Sequence, residues 1–406
     1  MSAAAPDGEP VPADGQLPAS AIESVGRQPF GIYVHVPFCL TRCGYCDFNT
    51  YTAAELGPGA SRGSYADLAV LEVRFARRVL GATDLPVSSV FFGGGTPTVL
   101  PPEDLGKILA AVGAEFGFER GVEVTAEANP ETVDERSLSA LRAEGINRMS
   151  FGMQSAAGHV LEVLDRRHTA GRPAACVEWA RATGFTGVNL DLIYGTPGES
   201  DRDWAHSVQA ALATRPDHIS AYALIVEEGT RLAARIARGE LPAPDEDAAA
   251  DRYLAADDMF TAHGLTWYEI SNWAAGEEAR CRHNLLYWTE GDWWGIGPGA
   301  HSHVGGTRWW NVKHPAAYAV RLAAGVSPGH KREVVTTDQR LLEQIMLRTR
   351  LVSGCPADLL GAARRGAAQR AVADGLADPA AYSSGRVVLT RRGRLLADAV
   401  VRDLTD

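Results

Sequence analysis

Three cysteines, Cys39, Cys43 and Cys46, stand within eight positions in the stretch YVHVPFCLTRCGYCDFNTY. Thiolates are soft metal ligands, and three of them are one short of the four that close a structural zinc site. Zinc would want a second pair near the first. Here no second pair follows, and the nearest further donor is His35, four residues before Cys39. A four-iron cubane suits the count better, because three cysteines on one tight loop hold three irons and leave the fourth open. A small molecule carrying an amine and a carboxylate could chelate that open iron. Cys176, Cys281 and Cys355 stand alone and are expected to be buried filler.

Other residues could serve such a ligand. FFGGGTPT, residues 91–98, follows an apolar run, and its three glycines would let backbone groups come close to a bound molecule. Glu127, Gln154 and Asp191 each fall at or near the end of a predicted strand. Ligands bind at the C-terminal strand ends of α/β barrels, whereas a lone polar residue in a strand is often a satisfied core group. A second constellation lies in CRHNLLYW, residues 281–288. Seven of the nine tryptophans, Trp267 through Trp310, share this region with His263, His283, His301, His303 and His314. An imidazole beside aromatic rings suits a porphyrin, with nitrogen on iron and rings over the macrocycle. The plainer reading is an aromatic subdomain with structural histidines. His301 and His303, in GPGAHSH, could instead belong to a loop closing the cofactor site.

Placing these residues requires a repeated unit. Apolar runs at 31–36, 87–93, 121–127, 148–154, 187–195 and 218–226 alternate with amphipathic segments such as 64–82 and 101–117. Such alternation with short connections predicts βαβ units, a parallel sheet and an α/β class. Six units suit an open or partial (β/α)6 barrel over residues 30–240. Residues 241–330 are expected to hold an acidic linker and the Trp- and His-rich region. Residues 331–406 would form a smaller, mostly helical, winged-helix-like domain. In it, Thr336 and Gln339 have capping-box spacing, 377–390 reads as a hairpin and 391–404 as a final helix.

The first 29 residues are rich in Ala, Pro and Gly, lack a signal-peptide pattern, and are expected to be a disordered tail. No apolar run of about 18 residues is present. With clustered thiols and no export signal, a reducing cytoplasmic location is expected. The net charge is −11, and from Lys331 onward 13 Lys and Arg face 9 Asp and Glu, leaving −15 on the body. A body so charged is not expected to bind nucleic acid.

The cysteine spacing resembles that of the radical S-adenosylmethionine (radical SAM) superfamily, with Tyr45 at the aromatic place before the last cysteine. YVHVPFC, FFGGGTPT, RMSFGMQS, LDLIYGTPGES and HNLLYW together resemble the oxygen-independent coproporphyrinogen oxidase family. Within it, the sequence is similar to the HemW heme chaperones. The resemblance implies a 4Fe-4S cluster on Cys39, Cys43 and Cys46, with S-adenosylmethionine on the open iron. It implies cofactor contacts from Tyr33, Tyr45, Gly94, Gly95, Thr96, Glu127, Gln154 and Arg166, with Arg167 the neighbouring register. Asp191 would hold a ribose hydroxyl or a second cofactor, Ala223 would line the adenine pocket, and His283 would ligate heme. The oxidase has a further cysteine two residues beyond the third, where this chain has Phe48. The implied function is heme binding and transfer to acceptor proteins, soluble or membrane-associated, with an electron donor for the cluster. The rival is oxidative decarboxylation of coproporphyrinogen III, which would make the chain an enzyme. Radical modification of RNA is opposed by the acidic body.

Overall fold

The computed structural model describes residues 8–56, 61–169 and 171–406. Its strands in chain order are β1 (Glu9–Pro10), β2 (Phe30–Val36), β3 (Val87–Gly94), β4 (Phe118–Ala128), β5 (Arg148–Gln154), β6 (Gly187–Tyr194) and β7 (His218–Ala223). They continue as β8 (Thr266–Glu269), β9 (Asn272–Ala274), β10 (Asp292–Ile296), β11 (His301–Val304), β12 (Thr307–Asn311) and β13 (Gly329–Val334). All join one sheet in the order β1-β13-β12-β11-β10-β2-β3-β4-β5-β6-β7-β9-β8.

The α/β expectation holds, and β2 to β7 are the six expected strands. Every residue of β5 is buried, as is every residue of β2 except Tyr33. Such burial on both faces is how a covered parallel sheet reads in sequence. Helices Arg62–Leu80, Pro102–Phe116, Glu135–Ala143, Arg172–Ala182 and Asp201–Ala213 fill the crossovers. The parallel array has a seventh member, because β10 pairs in parallel with β2 from Asp292↔Phe30 to Ile296↔Val34. That strand comes from the Trp-rich region, so residues 241–330 are not a separate unit. They extend the sheet at both margins, β8–β9 beside β7 and β10–β13 beside β2. DWWGI reads as an aromatic patch until its partner, some 260 residues earlier, is known.

Residues 8–29 are not a disordered tail. β1 pairs antiparallel with β13, Leu17, Ala21 and Val25 are buried, and Arg332 Nε donates to Glu9 at 2.7 Å. An Ala/Pro-rich composition suits an edge strand, where Pro10 need donate nothing. Residues 1–7 lie outside the described residues.

Glu72, on helix Arg62–Leu80, ties the sheet margin to the body. Fully buried, it accepts from Gly297 N and Asn311 Nδ2, each at 2.7 Å, and from the Tyr318 hydroxyl.

The C-terminal part has its own core, including Ile345, Cys355, Leu360, Ala368, Val387 and Leu404. The Thr336/Gln339 capping box is present. The expected hairpin over 377–390 is only a bridge, Ala377↔Leu389, enclosing a helix at Pro379–Ser383. Strand β14 (Cys355–Pro356) pairs instead with β15 (Arg386–Val387). The final helix is broken at Leu396 into Arg391–Leu395 and Ala397–Thr405. Arg394 clamps this part to the body, reaching both oxygens of Asp257 at 3.0 and 2.8 Å.

Candidate functional site

The cysteine loop follows β2 directly, at the C-terminal end of the parallel strands. Cys39 N donates to Tyr51 O at 3.1 Å, Gly44 N to Leu164 O at 3.0 Å, and Leu232 N to Gly44 O at 2.8 Å. The loop is thereby fastened to three separate segments. All six cysteines are free. Burial raises the Cys39 thiol and lifts Cys46 to about 11, so metal binding must displace protons from these sulfurs. No group of three or more His, Cys, Asp or Glu among the described residues could close on a single ion. A cubane makes no such demand, since each thiolate takes its own corner. Three free thiols on one loop, with hydrogen-bond donors beside them, fit that cluster. His35 is not a fourth ligand. Its Nδ1 is hydrogen-bonded to the Tyr33 hydroxyl at 3.0 Å and its Nε2 to Asn49 O at 2.9 Å.

Two of the expected cofactor residues reach the sulfurs. Arg166 Nη1 donates to Cys43 Sγ at 3.5 Å, and Thr96 Oγ1 to Cys39 Sγ at 3.9 Å. Arg167 is exposed, so the geometry selects Arg166 between the two registers. Arg166 is anchored by donation to Gly152 O at 2.7 Å. Gln154 adopts φ +63, a region a non-glycine residue enters at a cost of about 1–2 kcal/mol. A Cβ on Gly152 would meet both Gln154 Nε2 and Arg166 Nη2 at 2.7 Å. Gly95 packs against the cysteine segment, where a Cβ would lie 2.6 Å from Phe38 O and 2.8 Å from Val36 O. Gly94 has φ +101, and its N–H donates to Glu127 Oε2 at 3.2 Å. Tyr45 packs against the cluster of Ala157, Val160 and Leu164. Ala223, at the end of β7, is exposed.

Tyr33, Glu127, Asp191 and His283 line one cavity of about 320 Å3 on the inner face of the sheet. Burial, with the Asp191 carboxylate adding to it, pushes Glu127 up to about 8. Burial also raises Asp191, which accepts from Ser150 Oγ at 2.9 Å and Asn189 Nδ2 at 2.8 Å. Residues from β2 through β7 converge on this cavity, which a flat sheet of that width could not allow. The partial barrel is therefore closed by helix Arg282–Trp288, the CRHNLLYW segment. Glu123 caps that helix, accepting from Arg282 N at 3.0 Å and His283 N at 3.1 Å.

His283 is 1% exposed. Its Nδ1 is hydrogen-bonded to Ser89 Oγ at 2.9 Å and its Nε2 to the Tyr287 hydroxyl at 2.8 Å, and its ring stacks on Phe91 at 5.3 Å. Burial depresses it to about 3. An accessible heme ligand would have one nitrogen open to solvent or a cleft. As the molecule stands, both nitrogens are engaged and His283 ties the helix to the strands. Cys281 is likewise not filler, since it lines the cavity with its thiol 3.5 Å from Glu123 Oε1, whereas Cys176 and Cys355 sit in the two cores.

The sequence reading missed Arg148, Ser150, Asn189, His218, Ser220 and Tyr222, which also line the cavity. The signal was available. These residues recur at every second position on β5, β6 and β7, the period of one face of a strand.

The buried acids and imidazoles set a pH dependence. Burial raises Glu72 and Glu199 to about 7, besides Glu127 at about 8, and lowers His35, His168 and His303 to about 4. A raised carboxyl stabilises the fold at low pH, and that stability is lost as pH climbs from about 4.5 through its folded value. A lowered imidazole stabilises above about 6.5, and that stability is lost as pH falls toward its folded value. The trends oppose each other between about 4.5 and 6.5, and the carboxyls act alone above that. The melting temperature of the cofactor-free chain is therefore expected to stay level in that interval and to fall from about pH 6.5 to 8. Calorimetry across this range checks it, and a rise above pH 6.5 contradicts it.

Residues 33–211 match the Radical SAM superfamily family model. The chain is 52% identical over 379 residues to a "Heme chaperone HemW" of Mycobacterium tuberculosis, covering 93% of this chain and 95% of that one. It is 33% identical to a "Heme chaperone HemW" of Bacillus subtilis, covering 91% and 97%. The solved structure "Coproporphyrinogen III oxidase (HemN) from Escherichia coli is a Radical SAM enzyme" superposes with a TM-score of 0.80 at 22% identity. It covers 97% of this chain and 94% of that one, a likeness of fold alone.

Proposed function

The chain belongs to the HemW family of radical SAM proteins, and on that premise we propose that it binds heme and passes it to acceptor proteins. The observation that carries this reading is the 52% identity to a heme chaperone across 93% of the chain. A 4Fe-4S cluster and S-adenosylmethionine follow from the family. Further support comes from Phe48, which stands 57% exposed where the oxidase resemblance calls for cysteine. With Leu40, 58% exposed, it gives the cysteine loop an apolar rim that a macrocycle face could cover.

In this reading Cys39, Cys43 and Cys46 hold three irons of the cluster. Such a cluster, once bound there and reduced, would supply one-electron chemistry toward S-adenosylmethionine. Arg166 and Thr96 donate to the thiolates, which draws charge off sulfur and raises the potential at which the cluster accepts an electron. Gly94 and Gly95 bring bare backbone to the rim, and Glu127 offers a carboxyl to a cationic amine. An electron donor for the cluster and a heme acceptor, which could be membrane-associated, complete the partners. No helix among the described residues is long and apolar enough to cross a membrane, and a cytoplasmic setting is part of the proposal.

Heme ligation by His283 requires iron to displace the Tyr287 hydroxyl from Nε2, exchanging a hydrogen bond worth about 1 kcal/mol for a metal bond. The test is anaerobic: the cluster is reconstituted, then heme and coproporphyrinogen are supplied in separate assays. Stoichiometric heme uptake without protoporphyrinogen is expected, and substantial vinyl product overturns the reading. Tyr287→Phe, which frees Nε2, is expected to tighten heme, and His283→Ala to weaken it. Unchanged uptake in a folded His283→Ala protein removes only the ligand.

A further inference from the structure

Asn49, just past Cys46, turns its amide away from its own loop. An asparagine in a loop ordinarily bonds nearby backbone and shapes its own turn. Asn49 instead donates from Nδ2 to Pro298 O at 3.0 Å and to Lys313 O at 2.8 Å, 249 and 264 residues away. Its Oδ1 accepts from the Tyr51 hydroxyl at 3.1 Å, and its backbone oxygen is bonded to His35 Nε2. Pro298 lies in the turn 297–300 between β10 and β11, and Lys313 follows β12, so both belong to the Trp- and His-rich margin. The turn is itself fixed, because Gly297 N donates to Glu72 Oε2. It admits Asn49 because residue 299 is glycine, where a Cβ would stand 2.5 Å from Asn49 Nδ2.

The residues on either side of Asn49 face the sulfurs. Burial works against charge on Cys46 and Cys39. The Phe48 N–H opposes it at Cys46, and the Thr50 hydroxyl, with that of Thr96, opposes it at Cys39. Thr50 is buried, and Arg42 Nη2 donates to its carbonyl at 2.7 Å. Two donors to sulfur thus flank one residue, and that residue is the one the margin grips. Hydrogen bonds to cluster sulfurs raise the reduction potential, because the reduced form carries the extra negative charge.

We propose that Asn49 is a positioning residue for the iron–sulfur cluster. By holding the loop exit to the turn 297–300 and to Lys313, it keeps the Phe48 N–H and the Thr50 hydroxyl on the sulfurs of Cys46 and Cys39. This role rests on the cluster reading above. It makes the Trp- and His-rich margin, through two backbone carbonyls, part of what sets the potential.

The test is an anaerobic redox titration of the full-length, cluster-reconstituted protein, with heme and S-adenosylmethionine absent, followed by the electron paramagnetic resonance of the reduced cluster. Asn49→Ala is expected to shift the one-electron reduction equilibrium about tenfold toward the oxidised form, a fall of about 59 mV. Iron and sulfide should stay at the native level, because no ligand is lost. Gly299→Ala, which displaces the amide without altering it, should lower the potential too. The double variant should fall no further than Asn49→Ala alone. An unchanged potential in a cluster-bearing Asn49→Ala protein overturns the role, even where its melting temperature falls. Additive shifts in the double variant overturn the route through the turn. Should Asn49→Ala not keep its cluster, Gly299→Ala and Asn49→Ser decide, and a native potential in both overturns the role. A native protein that takes up no cluster overturns the cluster reading and this role with it. A native cluster indifferent to Asn49 overturns this role alone.

Discussion

Replacing Cys43 with alanine is expected to abolish cluster retention, lowering bound iron and labile sulfide together by more than about tenfold after anaerobic reconstitution. Each thiolate of a three-cysteine cubane holds a separate iron, so the loss of one leaves two corners open on a cluster already open at one. Cys39→Ala and Cys46→Ala should behave alike. Cys176→Ala, in the core of the body, should keep its full iron content. Arg166→Leu should lower retention less, by about tenfold, because it removes a donor to Cys43 and not a ligand. Iron and sulfide analysis beside the visible absorbance of the brown protein checks all five. Zinc without sulfide in the native protein would falsify the cubane outright.

Glu72→Ala is expected to destabilise the body by about 3–5 kcal/mol, measured as a shift in the denaturation midpoint at constant slope. The carboxyl group is fully buried and serves three donors, Gly297 N, Asn311 Nδ2 and the Tyr318 hydroxyl. Alanine leaves Gly297 N and the Tyr318 hydroxyl without this acceptor, leaves Asn311 Nδ2 only its bond to the backbone around Gly297, and opens a cavity as well. Glu72→Gln retains the volume and one acceptor oxygen, so its cost should be about 1–2 kcal/mol. Because burial holds Glu72 at about 7, the glutamine variant should narrow its deficit as pH rises from about 4.5 to 7, where the unfolded carboxyl is ionised and the native one is not. A Glu72→Ala protein as stable as the native chain would show that the sheet margin does not depend on this tie.

Much of this was legible in the residues. The six parallel strands were readable because buried strands are short apolar runs between helical stretches, and the cysteine loop because its spacing is its chemistry. Other features depended on partners remote in sequence. DWWGI, residues 292–296, carries no mark that it pairs with Phe30–Val34. The Ala/Pro-rich start looks disordered until β13 is placed beside Glu9 and Pro10. His283 illustrates the limit most clearly, because residue type and neighbours suggested a metal ligand. Only the fold shows Ser89, brought from 194 residues away, on one nitrogen and Tyr287 on the other. Arg148 went unremarked for the opposite reason, as one cation heading an apolar run, though it lines the cavity.

The placement of β10 also governs timing. The strand leading into the cysteine loop has β3 on one side and β10 on the other, and roughly 250 residues separate Cys46 from the end of β10. At about 5–20 residues per second, a ribosome takes about 10–50 s to cover that stretch. Throughout that wait the nascent chain has one edge of β2 bare, with three thiols at its end. A cluster delivered within that interval would meet a loop whose strand is paired on one side only. A chain stalled before residue 292 would carry its cysteines on an unfinished edge, open to oxidative cross-linking in place of iron.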